Sequence, residues 1–146
     1  MTERDPKAKG MGWLSPHMIV TNVKTSLKFY EEAFGFKTHL SLPDKEGNII
    51  HGEMLHKDVV MMLGLESESE GTKSPKSLGG TPVRFYLYVD NIEQQFERAR
   101  AAGAQVETEL EDQFWGDRTC VFICPEGHHW TFAQNVADFD PSKAPG

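Results

Sequence analysis

Residues 24–36 read KTSLKFYEEAFGF, and this stretch determines how the first half of the chain is interpreted. Its apolar side chains recur at helical spacing and form one stripe, made of Leu27, Tyr30, Ala33 and Phe34. Thr25 or Ser26 is placed to cap the first turn, and Gly35 stands where a helix stop is expected. The stretch therefore predicts an amphipathic helix that ends at Gly35.

Short strands are predicted on both sides of this helix. Apolar and polar residues alternate or run together in four segments, at 17–23, 37–43, 48–55 and 58–65. The turn sequences PDKEGN and HKD separate the last three segments. The first half of the chain therefore reads as β-α-β-β-β.

The same order of elements returns after a polar, Ser- and Gly-rich segment at 66–80. A second helix is predicted at 91–103, with Ile92, Phe96 and Ala99 on its inner face. Further strands are predicted at 83–89, 104–110, 118–124 and 129–134.

Two asparagines and two glycines support the repeat. Asn22 and Asn91 take matching positions in the two halves, as do Gly35 and Gly103. We predict an α+β fold in which two βαβββ modules form a curved mixed sheet around a cavity. The predicted domain spans 14–135, with modules at about 14–65 and 81–135, a linker at 66–80, and flexible tails at 1–13 and 136–146.

Charge and hydropathy exclude several classes of partner. The formal net charge is −7, and the 15 Lys and Arg residues are scattered, so we expect no nucleic-acid partner. No apolar run is long enough to span a bilayer, and the N-terminal residues lack the apolar centre of a secretory signal. The expected location is the cytoplasm, and no membrane partner is expected.

Four motifs give the chain a resemblance to a known family. In the first module, SLKFYEEAFGF at 26–36 is similar to the pattern S-x-x-F-Y-x-x-x-x-G-F. In the second, VDNIEQQFERARAAGA and FWGDR precede CPEGHHWTF, which is similar to D-P-x-G-x-x-W-E-L. Together these motifs resemble the vicinal-oxygen-chelate superfamily, which contains glyoxalase I, bleomycin-resistance proteins, extradiol dioxygenases and fosfomycin-resistance enzymes. The resemblance implies paired βαβββ modules and, usually, a homodimer.

The resemblance also implies four metal-ligand positions. Metal-dependent members carry a His at the start of each module and a Glu in the last strand of each module. The matching residues here are Ser15, Arg84, Thr131 and Met61, or Met62 if the alignment shifts by one. A guanidinium cannot ligate a cation, and none of the four is the expected His or Glu. We therefore predict no metal and no other cofactor.

The histidines and cysteines near the C-terminus do not restore a metal site. His128 and His129 are adjacent, so on a strand they point to opposite faces and cannot easily share one ion. Cys120 and Cys124 would lie about 13 Å apart along a strand, which is too far for a disulfide. Both thiols are expected to be buried.

Strand alternation predicts which side chains line the cavity. The predicted ligand-binding residues are His17, Glu53, Arg84, Tyr86, Tyr88, Trp115, Arg118, His129 and Thr131. The two tyrosines suit a flat or extended ligand, although ordinary strand packing is the alternative. Arg84 suits an anionic group or a salt bridge, with Glu53 as a possible partner.

Two residues of the FWGDR motif are expected at the mouth of the cavity. Trp115 and Arg118 either form a lid or hold the turn, and Asp117 and Arg118 are candidates for a local ion pair. No catalytic residue is assigned.

The resulting hypothesis is a small-molecule-binding protein without a metal that binds or sequesters an aromatic or extended compound. One alternative is a metal-dependent lyase or dioxygenase with a non-standard site, such as a shifted pair of His17 and Glu53. Another is a metal-free enzyme that uses His17 or Glu53.

Overall fold

The computed structural model describes residues 3–146 and has the predicted α+β class, with the order βαβββ occurring twice. The strands are β1 (His17–Val20), β2 (Lys37–Pro43), β3 (Ile49–His56), β4 (Val59–Leu65), β5 (Phe85–Tyr88), β6 (Gln105–Asp112), β7 (Asp117–Ile123) and β8 (His129–Asn135). The helices are α1 (Val23–Phe29), α2 (Pro75–Leu78) and α3 (Ile92–Ala101).

The first compact unit comprises the chain up to Glu31 together with Gly35–Ser74. Its sheet has the order β1-β4-β3-β2, in which β1 pairs with β4 in parallel and the other pairs are antiparallel. Met18 and Val20 on β1 are buried, whereas His17 is exposed. The strand therefore separates a core face from an open face, as its alternation predicts.

Helix α1 begins earlier than predicted and has a different cap. The side chain of Asn22, not Thr25 or Ser26, accepts a hydrogen bond from the backbone N–H of Thr25. The Ser26 hydroxyl is buried and donates to the Asn22 carbonyl. A π-helical turn at Tyr30–Phe34 continues α1, and Gly35 ends it in the left-handed region, as predicted.

The second compact unit comprises Glu32–Phe34 and Pro75–Gly146. Its sheet repeats the first topology with the order β5-β8-β7-β6. Buried aromatic side chains form its core: Phe34 lies 4.8 Å from Phe132 and 5.7 Å from Trp130, between ring centroids. Helix α3 adds Ile92, Phe96 and Ala99, the three residues that its periodicity places inward.

The segment at 66–80 contains more structure than a linker. Ser67 and Thr72 form an isolated antiparallel bridge, and α2 adds a single helical turn. At the C-terminus, Pro141–Lys143 forms a 3-10 turn. The flexibility of the two tails stays a prediction, and residues 1 and 2 of the predicted N-terminal arm lie outside the described residues.

Candidate functional site

One face of the second unit's sheet carries the half-exposed aromatic residues that the sequence indicates. Tyr86 on β5 pairs with Thr131 on β8, and Thr131 pairs with Val121 on β7. Trp130 and Phe132, the residues on either side of Thr131 in β8, point to the other face of the sheet and belong to the buried core. Tyr86 is 46% exposed and Tyr88 is 54% exposed, so both rings are accessible from this open face.

A single buried carboxylate holds both tyrosine side chains. The hydroxyls of Tyr86 and Tyr88 donate to the same oxygen of Asp117, at 2.6 and 2.7 Å. Trp115 donates its indole N–H to the Tyr86 hydroxyl at 2.9 Å. The Tyr86 and Tyr88 rings meet edge to face, with centroids 5.7 Å apart. We call Tyr86, Tyr88, Trp115 and Asp117 the tyrosine cluster.

The hydrogen bonds of the cluster change the acidity of its members. Burial, and after it the hydrogen bond to Asp117, raises the pKa of Tyr86 to about 12. The bond to Asp117 also raises the pKa of Tyr88. Burial works to raise the pKa of Asp117, but the hydrogen bonds from Tyr86, Tyr88 and Asn135 outweigh it and lower this pKa. The cluster therefore holds an ionised carboxylate and neutral phenols at neutral pH.

The turn before β7 fixes the position of this carboxylate. The Asn135 amide donates to the second oxygen of Asp117 at 3.0 Å and to the carbonyls of Gly116 and Ala137. Gly116 has φ +99, and a Cβ there would lie 2.2 Å from the Ala137 carbonyl oxygen. Only glycine fits at this position of the turn. The tyrosines donate to one oxygen of Asp117 and Asn135 donates to the other, so both oxygens have partners.

A second polar cluster lies in the same unit. Arg84 donates two hydrogen bonds to the carboxylate of Glu107, at 3.2 and 3.3 Å, and His129 lies 3.1 Å from the same carboxylate. The hydrogen bond with His129, then that with Arg84, lowers the pKa of Glu107. Arg84 therefore has an ion-pair partner within its own unit, Glu107, and the possible pairing with Glu53 stays a prediction.

The structure corrects the interpretation of Arg118. The side chain alternates with Asp117 along β7 and forms ion pairs with Glu93 of α3 and with Asp112, the latter at 2.6 Å. The predicted ion pair between Asp117 and Arg118 is wrong, because adjacent strand residues point to opposite faces. Arg118 therefore connects β7 to α3 and β6 and does not join the tyrosine cluster.

The open face of the first unit's sheet carries the other predicted residues. His17, Met62 and Glu53 form a row across β1, β4 and β3. Glu53 is 9% exposed, and its carboxylate lies 3.1 Å from Nε2 of His51. The His17 and His51 rings have centroids 6.1 Å apart.

The cysteines and the adjacent histidines behave as expected. Cys120 and Cys124 are free and buried, and burial raises the pKa of Cys120 to about 12. His128 is 6% exposed and lies 6.0 Å from the Phe85 ring, between centroids. His129 is half-buried with Glu107 as its partner, so the two imidazoles have separate surroundings.

Comparison with known proteins assigns the family. The model of the Glyoxalase/Bleomycin resistance protein/Dioxygenase superfamily matches residues 11–140. This chain belongs to that superfamily. The uncharacterized protein Rv0887c of Mycobacterium tuberculosis is 41% identical over 133 residues, which cover 86% of this chain and 75% of that protein.

Two solved structures share the fold of this chain. TioX from Micromonospora sp. ML1 has a TM-score of 0.71 at 24% identity, covering 84% of this chain and 98% of TioX. The fosfomycin resistance protein FosX from Listeria monocytogenes has a TM-score of 0.62 at 13% identity, covering 86% of this chain and 90% of FosX. The FosX structure contains Mn(II) and 1S,2S-dihydroxypropylphosphonic acid.

The superfamily's metal positions do not fit a metal in this chain. The strand register settles the open alignment: Met62 pairs with His17 as Thr131 pairs with Tyr86, so Met62 and not Met61 is the matched residue. The four positions then hold a hydroxyl, a guanidinium, a thioether and a second hydroxyl, a set without the imidazole or carboxylate donors of a typical catalytic divalent site. Among residues 3–146, no group of three or more His, Cys, Asp or Glu could hold a metal ion.

Three polar residues on the open faces of the two sheets are not among the ligand-binding residues predicted from the sequence. They are Asp117, Glu107 and His51. The alternation of β7 places Asp117 on the open face, but its neighbour Arg118 suggested a simpler ion pair. Glu107 lies at an irregularity of β6, where the pairing register shifts between Val106 and Thr108. A bulge of this kind changes which residues share a face and has no clear mark in the sequence.

Proposed function

We propose that this chain is a small-molecule-binding protein that works without a metal and binds or sequesters an aromatic or extended compound. The supporting observation is the tyrosine cluster, in which two half-exposed phenol rings are fixed by one buried carboxylate. The cluster lies wholly within the second unit.

A fixed aromatic surface favours binding for an entropic reason. An exposed side chain that becomes ordered on binding costs about 0.5–1.5 kcal/mol. Tyr86 and Tyr88 are already held by Asp117, so most of this cost is met during folding. Each well-placed aromatic contact with a flat ligand then contributes about 0.5–1.5 kcal/mol beyond the burial of its area.

The polar cluster of Arg84, Glu107 and His129 would add selectivity. Arg84 offers the guanidinium geometry that suits carboxylates and phosphates, although Glu107 already occupies part of it. A ligand with an anionic group would compete with Glu107 for the guanidinium of Arg84. We therefore expect neutral aromatic compounds to depend on the tyrosines alone, and acidic ones to depend on Arg84 as well.

The test begins with a thermal-shift screen of aromatic compounds that differ in charge, followed by calorimetric titration of the hits. Replacing Tyr86 and Tyr88 together by Ala should weaken the binding of a stacking ligand by roughly tenfold or more. Arg118→Gln is the matched control, since Arg118 belongs to the ion pairs with Glu93 and Asp112. Its ligand affinity should equal that of the natural protein.

Two outcomes would contradict the proposal. Hits that bind the double tyrosine variant as tightly as the natural protein would remove the tyrosine cluster from the site. Elemental analysis of the untagged protein that found one Zn, Ni, Mn or Fe per chain, lost in His17→Ala, would favour the metal-dependent lyase or dioxygenase instead.

A further inference from the structure

The tyrosine cluster places a negative charge directly behind two accessible aromatic rings. Tyr86 and Tyr88 donate to the same oxygen of Asp117, whose side chain is buried. Burial works against ionisation of this carboxyl group, but the hydrogen bonds that it accepts lower its pKa. Each half-exposed ring is therefore connected, through one hydrogen bond, to a fixed charge that solvent hardly reaches.

These hydrogen bonds also change the rings themselves. The face of an aromatic ring carries the negative part of its quadrupole and attracts a cation that lies over it. A phenol that donates its proton to a carboxylate is polarised toward the phenolate, so the electron density of its ring increases. The faces of Tyr86 and Tyr88 therefore attract a cation more strongly than the face of a phenol bonded to water would.

The rings are arranged as adjoining walls. The planes of Tyr86 and Tyr88 meet at 72°. Trp115 adds a third aromatic side chain, held to the Tyr86 hydroxyl by its indole N–H. Beside Tyr88 the sheet continues with two small residues, Ala133 on β8 and Thr119 on β7. Aromatic walls around a floor of small side chains are the arrangement by which proteins hold rounded organic cations.

The nearby positive charge of Arg84 does not cancel this attraction. Arg84 donates two hydrogen bonds to Glu107, which also has His129 as a partner. The hydrogen bond with His129, then that with Arg84, lowers the pKa of Glu107, so at neutral pH the charges of Arg84 and Glu107 offset each other. The charge of Asp117 remains, and the net charge of −7 adds attraction for cations at longer range.

We infer that the tyrosine cluster binds the alkylated ammonium group of a cationic small molecule. This inference rests on the binding function proposed above and names a class of ligand for it. Both oxygens of Asp117 already accept hydrogen bonds, so the N–H groups of a primary ammonium would find the carboxylate occupied. A trimethylammonium group needs no acceptor, because its charge is spread over methyl groups that pack against the ring faces.

The test compares choline with 3,3-dimethylbutanol, which has the same shape but carries carbon in place of the charged nitrogen. NMR titration of the full-length protein at low ionic strength measures both dissociation constants. Choline should bind at least roughly tenfold more tightly, because cation–π contacts with two rings and the attraction of Asp117 act on the cation alone. Ethanolamine, whose ammonium group is primary, should bind more weakly than choline.

Three variants locate the source of this preference. Tyr88→Leu removes a ring but keeps an apolar side chain, so it should weaken choline binding by roughly threefold or more and change the binding of the alcohol little. Asp117→Asn removes the buried charge and should reduce the preference for choline. Glu93→Gln is the matched control for net charge, since it removes an exposed carboxylate of α3 that pairs with Arg118. Its choline affinity should equal that of the natural protein. Tyr88 is half-exposed, so its variant tests the cluster even if Asp117→Asn unfolds.

Three results would overturn the inference. They are no binding of choline, equal affinity for choline and the alcohol, and equal losses of choline affinity in Glu93→Gln and Asp117→Asn. The last result would show a general attraction to a negatively charged protein. The screen of neutral aromatic compounds is the separate readout of the proposed function. If neutral compounds bind through the tyrosines and choline shows no preference, this inference fails and the proposed function stands.

Discussion

Asp117 shows how much one buried side chain can organise at the scale of the residue. It is 2% exposed and accepts hydrogen bonds from two tyrosines and one asparagine. Leaving such donors without a partner is costly, so the carboxylate controls where both phenol rings lie. The order of the tyrosine cluster therefore depends on a residue that presents almost no surface to a ligand.

Asp117→Asn should lower the pKa of Tyr86 from about 12 toward its ordinary value. Burial, the largest cause of the shift, would persist, so we expect a partial return. The chain has three tyrosines, which makes the ultraviolet absorbance of tyrosinate a practical measurement. The absorbance change that is lost in Tyr86→Phe is the one that reports the ionisation of Tyr86. An unchanged titration in Asp117→Asn would show that the carboxylate does not control the phenol.

The same shift predicts a loss of stability at alkaline pH. The folded pKa of Tyr86 is about 12, above the value near 10 of an unfolded chain. The stabilising contribution is therefore complete below about pH 10 and is lost as the pH rises through the folded pKa. Urea unfolding at a series of alkaline pH values should show a shallower decline for Tyr86→Phe than for the natural protein. Parallel declines would contradict this assignment.

Gly116→Ala should be strongly destabilising. Its φ of +99 is unfavourable for alanine, and the new Cβ would lie 2.2 Å from a backbone oxygen that cannot move independently. Strain of this kind costs about 1–3 kcal/mol before the steric clash is added. Urea denaturation measures the change in the free energy of unfolding. Gly10→Ala is the control: its φ of +83 is also positive, but no atom lies within 4 Å. A similar loss in both variants would exclude the clash as the cause.

At the scale of the element, the two main helices begin in the same way. The side chains of Asn22 and Asn91 each accept a hydrogen bond from the backbone N–H three residues later, at 2.9 and 3.1 Å. The matched asparagines were predicted as part of the repeat, and the structure shows their physical role. The sequence favours Thr25 or Ser26 as the cap of α1, because Ser and Thr are common caps and Asn22 continues the pattern of the preceding strand.

Asn91→Ala should lower the free energy of unfolding by about 1 kcal/mol, since the first turn of α3 would lose its cap. Aspartate caps helices as well as asparagine does, so Asn91→Asp should retain most of the stability. Urea unfolding followed by circular dichroism measures both variants. If Asn91→Asp lost as much stability as Asn91→Ala, the hydrogen bond to Gln94 would not be the cause.

At the scale of the whole molecule, the chain combines a net charge of −7 with a fold shared across a superfamily. No helix in the described part of the chain is long and apolar enough to cross a membrane. The cytoplasmic location and the absence of nucleic-acid partners stay predictions, because they rest on composition.

The homodimer implied by the family resemblance is also a prediction, and sedimentation equilibrium can test it. We expect a particle of twice the mass of the chain at micromolar concentration. Exposed apolar side chains such as Trp13, Leu14 and Phe139 are compatible with a further contact surface. A particle of single-chain mass across the concentration range would contradict the prediction.

The sequence by itself determined the two modules, most strand positions and the identity of the core face. These properties depend on local periodicity, and alternation along a strand fixes which side chains share a face. The sequence also shows residues other than His and Glu at the four positions that the family resemblance assigns to metal ligands, since this observation depends only on residue type.

Only the tertiary structure decided which polar groups meet. The bond between Tyr86 and Asp117 joins residues 31 positions apart, and that between Arg84 and Glu107 joins residues 23 positions apart. Strand register and the irregular pairing of β6 set these contacts, and neither is fixed by local periodicity. Gly64 is the clearest case: its lack of a side chain acquires meaning only when β1 brings His17 above it.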